Sequence, residues 1–269
     1  MAFPEDGFAV VNDWSAVEAV GPEAGKFLQG FCTNDVLKLA DGESCEAMFT
    51  DVKAHVIAYA WVARLEEDRY MALLTSPRAE SLHAHLDRYL IREQVELTIT
   101  PPSSWVLSDS ADPGLVIPII DGVVARQGDL AAEGPRIDDE VFHRYRIAMR
   151  VPLDGVDVGE RNLPQEVDRN EQAISFTKGC YLGQEPVARI DALGRVNWLL
   201  RAVEIDGPAP QRDADLLLGE KAAGRITSSV PTETGSLALA YVRREQAEAA
   251  TELTLDGASV RVLPIEAGG

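Results

Sequence analysis

Cations are scarce in this 269-residue chain. Lys and Arg number 25 against 44 Asp and Glu, a formal net charge of −19. A field of that sign repels phosphate backbones, so extended nucleic-acid binding is excluded, although a local basic pocket for a small anion is not. Long apolar runs are missing too, and nothing approaches the roughly 18 residues a membrane helix needs. Met1 to Asp13 carries Glu5, Asp6 and Asp13 and no basic n-region, so it does not read as a signal peptide. The three cysteines, Cys32, Cys45 and Cys180, are odd in number and lack CxxC spacing, which argues against a disulfide framework or a zinc site. Four scattered histidines form no HxxxH or HExxH pair, and no Walker loop or GxGxxG is present. A soluble, cytoplasmic monomer without resident metal is expected.

What is present is an ordinary globular composition, 46% hydrophobic with mean hydropathy −0.08. Patterning predicts a strand over Ala16–Val20 and a short helix after Gly21-Pro22-Glu23 running to about Phe31. Strands follow over Cys45–Thr50, His55–Arg64 and Arg69–Leu74. Ser76-Pro77 then opens a helix whose Leu82, Leu86, Tyr89 and Leu90 form one apolar stripe, which reads as core packing. Val95–Thr100 is expected to end before Pro101-Pro102, with further strands over Trp105–Leu107 and Leu115–Ile120. Ile120-Asp121-Gly122-Val123 reads as a hairpin. Asp138–Met149 is a predicted helix, Ala173–Phe176 a short strand, and Pro186–Ile190 part of a helix ending before Gly194. Beyond Arg195 the texture changes to short, evenly spaced β candidates with Gly or Pro between them, as in a small barrel or sandwich.

One segment concentrates chemistry: Lys178-Gly179-Cys180-Tyr181-Leu182-Gly183-Gln184-Glu185, followed by Val187-Ala188-Arg189. Two glycines allow unusual backbone angles or close approach around Cys180. A helix starting near Gln184 directs its positive end toward that sulfur, and Lys178 adds a cation two residues away. Both favour thiolate, which makes Cys180 the candidate reactive group and Lys178 its expected partner. The alternative reading is a buried cysteine in a tight turn. Cys32 and Cys45 lack such a setting and read as structural.

The segment resembles the signature of the YgfZ family, the folate-binding, GcvT-like relatives of the glycine-cleavage aminomethyltransferase. Similar stretches arrive in the right order elsewhere: Phe27-Leu28-Gln29-Gly30, Thr33-Asn34-Asp35-Val36, Leu163-Pro164-Gln165-Glu166, Gly224-Arg225-Ile226-Thr227-Ser228 and Leu239-Ala240-Tyr241-Val242-Arg243. The resemblance implies an α+β, three-lobed aminomethyltransferase-like fold, with a folate-binding region over residues 1–195 and a C-terminal β-barrel over residues 196–269. It also implies tetrahydrofolate or a one-carbon derivative as ligand. Iron–sulfur assembly proteins or client enzymes become the expected partners, with an indirect link to tRNA modification. Gly179, Tyr181, Gly183, Gln184 and Glu185 become ligand-site candidates with the signature. A pterin edge pairs in two-point fashion with a carboxylate, for which Glu166 is the candidate, its alternative role being a helix-cap acid. Arg189 is the candidate cation for the glutamate tail, its alternative being a surface residue. The departure from the aminomethyltransferases lies at Ala58 and Tyr59, which stand where those enzymes carry an acid pair. That leaves no carboxylate there for proton handling. Three functions are separated in this way: a folate-dependent iron–sulfur maintenance factor, a folate-dependent transferase, and a binding module that kept the fold alone.

Overall fold

The computed structural model describes residues 7–109, 116–120, 123–127, 135–194 and 196–265. The expected Asp121-Gly122 turn lies outside the described residues. Two β assemblies organise the chain. The first contains β1 (Phe8–Val20), β2 (Ser44–Thr50), β3 (Val56–Glu66), β4 (Arg69–Leu74), β5 (Glu96–Ser108), β6 (Val116–Ile120) and β7 (Val123–Gln127). These form one antiparallel sheet in the order β2-β3-β4-β1-β5-β7-β6. The second is a closed barrel of β8 (Trp198–Ile205), β9 (Asp215–Leu218), β10 (Lys221–Pro231), β11 (Ser236–Arg243), β12 (Glu252–Leu255) and β13 (Ala258–Val262), in the order β10-β11-β8-β13-β12-β9.

The sheet is covered on both faces, which explains why β3 reads as an almost unbroken apolar run. Side chains alternate along it. Tyr59, Trp61 and Ala63 join a core shared with Trp14, Trp105 and the barrel's Leu200, Leu237 and Leu239. Ala58, Ala60 and Val62 face the other core, where α1 (Ala24–Gln29) contributes Phe27 and Leu28, and α2 (Ala79–Asp87) contributes Leu82 and Leu86. On the first face α3 (Asp139–Ala148) packs against β1, β10 and β11. The barrel has its own interior, built from Val203, Ile205, Ala238, Ala240, Val242, Val260 and Val262.

Several local expectations are corrected. The Pro101-Pro102 pair does not end a strand, because β5 runs straight through it. The β1–β5 register slips between Val11 and Ala16, opposite these prolines, so a bulge absorbs the ladder bonds they cannot make. Helix α2 begins at Ala79 rather than at Pro77. Ser76 donates its hydroxyl to Asp154 (2.6 Å), and the Ala79 N–H is taken instead by Ser15 Oγ (3.1 Å). No strand forms over Ala173–Phe176. A short helix, α4 (Asn170–Ala173), ends there, and the chain is tied to the 33–34 loop by single bonds instead of a ladder: Ser175 N–H to Thr33 O (2.9 Å) and Thr33 Oγ1 to Ala173 O (2.6 Å). The Asp256-Gly257 hairpin turn is present between β12 and β13, with both residues at positive φ (49° and 87°).

The sheet curls until its edge strand β6 meets β2 and β3, where Ser44 Oγ donates to Pro118 O and Trp61 Nε1 donates to Ile119 O (2.6 Å). Among the described residues no helix is long and apolar enough to cross a membrane.

Candidate functional site

The signature folds into a tight loop ahead of α5 (Gln184–Leu193). Gly183 holds the N-cap position with φ 84°, and a Cβ there would lie 2.5 Å from Asp51 O and 2.6 Å from Thr50 Oγ1. Only glycine satisfies both demands. Thr50 Oγ1 in turn donates to Leu182 O (2.7 Å), and Leu182 N–H donates to Gly30 O (2.9 Å), so the loop is riveted to β2 and α1. Gln184 N–H turns back onto Tyr181 O (3.1 Å), and Glu185 sits in the first turn of α5.

Cys180 is exposed, as is Gly179 beside it. Lys178 points the other way. Its ammonium donates to three backbone carbonyls, Gln29 O (2.8 Å), Cys32 O (2.7 Å) and Asn34 O (2.6 Å). It lies 3.8 Å from Cys32 Sγ and 5.1 Å from the centre of the Tyr181 ring. The cation expected beside Cys180 is therefore spent on the 29–34 loop and on Cys32. Burial lowers the Lys178 pKa, opposed by the neighbouring Cys32 and Asp35. Burial pushes the Cys32 thiol up in spite of Lys178, and raises Cys45 and Tyr181 as well. Tyr181 packs with Ala54, Ile174 and Val187 in a small core of its own, beneath the exposed Cys180.

A cavity of about 670 Å³ opens elsewhere, between the 155–162 segment and the barrel wall. Of the nine residues singled out in the sequence, Glu166 alone lines it. Arg189 is exposed on α5 and does not reach it. Glu166 serves as the expected cap, accepting from Leu163 N–H at Oε2 (3.1 Å) across the short turn that Pro164 opens. Its Oε1 accepts no bond among the described residues, and burial raises the pKa of its carboxyl. The preceding Gln165 donates to Val187 O of α5 (2.7 Å), so this one turn touches the cavity with one residue and the signature helix with the next.

Sequence reasoning missed most of the wall. Tyr241 of β11 presents a hydroxyl that is buried and without a partner, its pKa raised by burial and by the nearby Asp157 and Glu166. Its strand signal was visible: Leu237, Leu239 and Tyr241 share the face turned to the sheet, and a tyrosine at the end of an apolar series needs an acceptor or a ligand. Asp157 is not available for a ligand. It already accepts from Arg146 (3.0 Å), Leu153 N–H (2.9 Å), Thr227 and Ser228 (2.7 Å). Cations are supplied by Arg78, held by Asp154 and Glu160, by Arg225 paired with Asp215 at 3.4 Å, by Arg212 on the Gly155 and Val156 carbonyls, and by the exposed Arg161. At the position of the missing acid pair, Ala58 is in the core. Tyr59 is fully buried with its hydroxyl on Glu46 Oε2 (2.6 Å), and Arg169 pairs with the same carboxylate.

A curled antiparallel sheet joined to a closed barrel across a polar cavity is the architecture of the aminomethyltransferase fold. The glycine cleavage system aminomethyltransferase T of Bartonella henselae matches it with a TM-score of 0.73, covering 96% of this chain and 85% of that one at 14% identity. In sequence, residues 7–107 match the GCVT N-terminal domain and residues 200–267 match the CAF17 C-terminal beta-barrel domain. The chain is accordingly similar to the YgfZ/GcvT-like proteins, and its fold is α+β with a C-terminal barrel, as the signature implied. Relatives include the tRNA-modifying protein YgfZ of Aliivibrio fischeri (23% identity, covering 86% of this chain and 83% of the relative). The mitochondrial iron–sulfur cluster assembly factor IBA57 of Mus musculus matches at 25% identity, covering 90% and 80%.

Proposed function

We propose that this chain is a tetrahydrofolate-binding protein that supports assembly or repair of iron–sulfur clusters in client enzymes. In this reading residues 1–195 and 196–269 act as two domains that share the cavity. The names of its relatives support the coarser part, a role connected with iron–sulfur clusters or with tRNA modification. The observation that carries the ligand is the Tyr241 hydroxyl. It is buried, unpartnered and beside a carboxylate with a spare oxygen, in a cavity rimmed by arginines. A buried hydroxyl left unmade costs about 1–3 kcal/mol, which a ligand with polar edges recovers. A pterin edge suits Glu166 and Tyr241, and an anionic tail suits Arg161, Arg212 or Arg225. The folate fits the residues present and would supply a one-carbon carrier when bound. Cys180 stands outside that cavity, on an exposed loop where a partner protein could reach it.

The experiment is a calorimetric titration of the full chain with tetrahydrofolate, with thermal melting beside it. Binding to the native state alone stabilises by about 2.7 kcal/mol at a hundredfold excess over Kd. Y241F removes the unpartnered hydroxyl, so it should melt at or above the wild type yet bind more weakly. No heat and no shift at millimolar ligand, with the chain shown to be folded, rejects the folate reading. Aminomethyl transfer is disfavoured by Ala58 and Tyr59. The chain should release no ammonia from an aminomethyl-loaded carrier in the presence of tetrahydrofolate, and measurable release would restore the transferase reading.

A further inference from the structure

One tryptophan lines the cavity wall. The chain has four tryptophans. Trp14, Trp61 and Trp105 are at most 4% exposed and sit in the core beneath the sheet. Trp198, the first residue of β8, is half-buried and lines the cavity next to Asn197. Its ring is backed by a cation: the Arg243 guanidinium lies over it at 4.7 Å from the centroid. That arginine is not adrift. It stands directly across the β8–β11 ladder from Trp198, and its Nε–H donates to Ala222 O (3.3 Å), Ala222 being itself a cavity residue. Trp198 makes no ring–ring contact among the described residues and, partly buried, packs against the sheet's core. An indole held by a guanidinium over one face and lining the cavity is preorganised for a second flat group.

We infer that Trp198 is the plate on which a planar ring of the cavity's ligand stacks, and that it selects ring-bearing ligands over flexible anions of equal charge. The inference rests on the reading of the cavity given above, and adds the residue that distinguishes a folate from its acidic tail. The arginines at the rim recognise a carboxylate and would accept one from a ligand with or without a ring. Trp198 sits on the same wall and requires a flat face. Polar groups at Glu166 and Tyr241 fix an edge, so the ligand is gripped by edge, face and tail from three directions.

The test uses the full chain and two probes, tetrahydrofolate and triglutamate, the second carrying the tail chemistry without a ring. W198L and W198F are compared with wild type by calorimetry, with melting curves to confirm folding. A stacking contact is worth enough that W198L should bind tetrahydrofolate about tenfold or more weakly, whereas W198F, which keeps a flat ring, should retain most of the affinity. Acrylamide quenching gives a readout that a merely structural role would not move. In the wild type the accessible indole is Trp198, so tetrahydrofolate should shield it and triglutamate should not. In W198F no shielding should remain although calorimetry still shows binding. Undiminished binding by W198L, or shielding by triglutamate, overturns the plate while leaving the cavity reading intact. Absence of any tetrahydrofolate binding by wild type overturns the cavity reading, and the plate with it.

Discussion

Replacing Lys178 by Met removes an ammonium and leaves an apolar chain of nearly the same length in its place. Three carbonyls, those of Gln29, Cys32 and Asn34, then lose their donor at once. A bond from a charged donor is worth about 1.5–3 kcal/mol, and a buried acceptor left empty about 1–3. Against this stands the relief of no longer burying a charge, which the lowered pKa of Lys178 records. Taking about 1 kcal/mol per carbonyl after that offset gives a loss of about 3 kcal/mol. At about 2–4 °C per kcal/mol for a chain near this size, K178M should melt about 6–12 °C below wild type in a scanning calorimeter. Since the ammonium faces Cys32, the rate at which iodoacetamide labels Cys180 in folded K178M should stay near the wild-type rate, while Cys32 should become easier to label as its loop loosens. A melting point within about 2 °C of wild type, together with a sharp slowing of Cys180 labelling, would show that Lys178 serves the exposed thiol after all.

Other outcomes follow from the same geometry. Cys180 should be alkylated before Cys32 and Cys45 in the wild type. C180S should leave the melting point nearly unchanged while failing to restore iron–sulfur enzyme activity in cells lacking the native protein; full rescue would reduce the thiol to part of a turn. G183A should be destabilising by well over 1 kcal/mol, since the new methyl meets both the Asp51 carbonyl and Thr50 and the positive φ adds strain. A denaturant midpoint equal to wild type would contradict that fit. His143 accepts from Arg146 Nε (2.8 Å), and burial with that cation lowers its pKa from 6.5 to about 4. The unfolded chain therefore binds the proton first, and His143 should make stability fall as pH drops from about 6.5 to about 4. H143Q keeps an acceptor without titrating, so its urea midpoints should fall less steeply across that window; identical slopes would remove His143 from the account.

Much of the architecture was legible because short-range signals and burial agreed. Arg69–Leu74 is a strand between turn residues, and the segment beyond Arg195 announces through its spacing a set of short strands, a barrel or a sandwich, of which the structure forms the barrel. The failures share a cause. Pro101-Pro102 looks like a break because the strand's partner is unseen in the sequence, and the bulge that sets both prolines against Ser15 alone is a property of the pair. Ser76 looks like a cap because its nearest backbone is the following helix, yet Asp154, 78 residues away, takes its hydroxyl. The site divides in the same manner. The signature's density of special residues was readable, and Gly183 explains one of its glycines. The direction of Lys178 was not, since its acceptors lie near residue 30. Tyr241 and Trp198 were unremarkable as letters in apolar strands, and only the packing of the barrel against the 155–162 segment turns them into walls of a cavity.

The curled sheet has one more consequence. Its β6 edge would ordinarily expose a row of free carbonyls and amides, a template onto which another chain's strand can add. Here the carbonyls of Pro118 and Ile119 are occupied by Ser44 of the opposite margin β2 and Trp61 of β3 beside it, and Pro118 has no amide hydrogen to offer. Side chains, not a further strand, seal the seam. A margin closed in this way is a poor template for strand addition, and no residue of the cavity or the thiol loop is committed to the task.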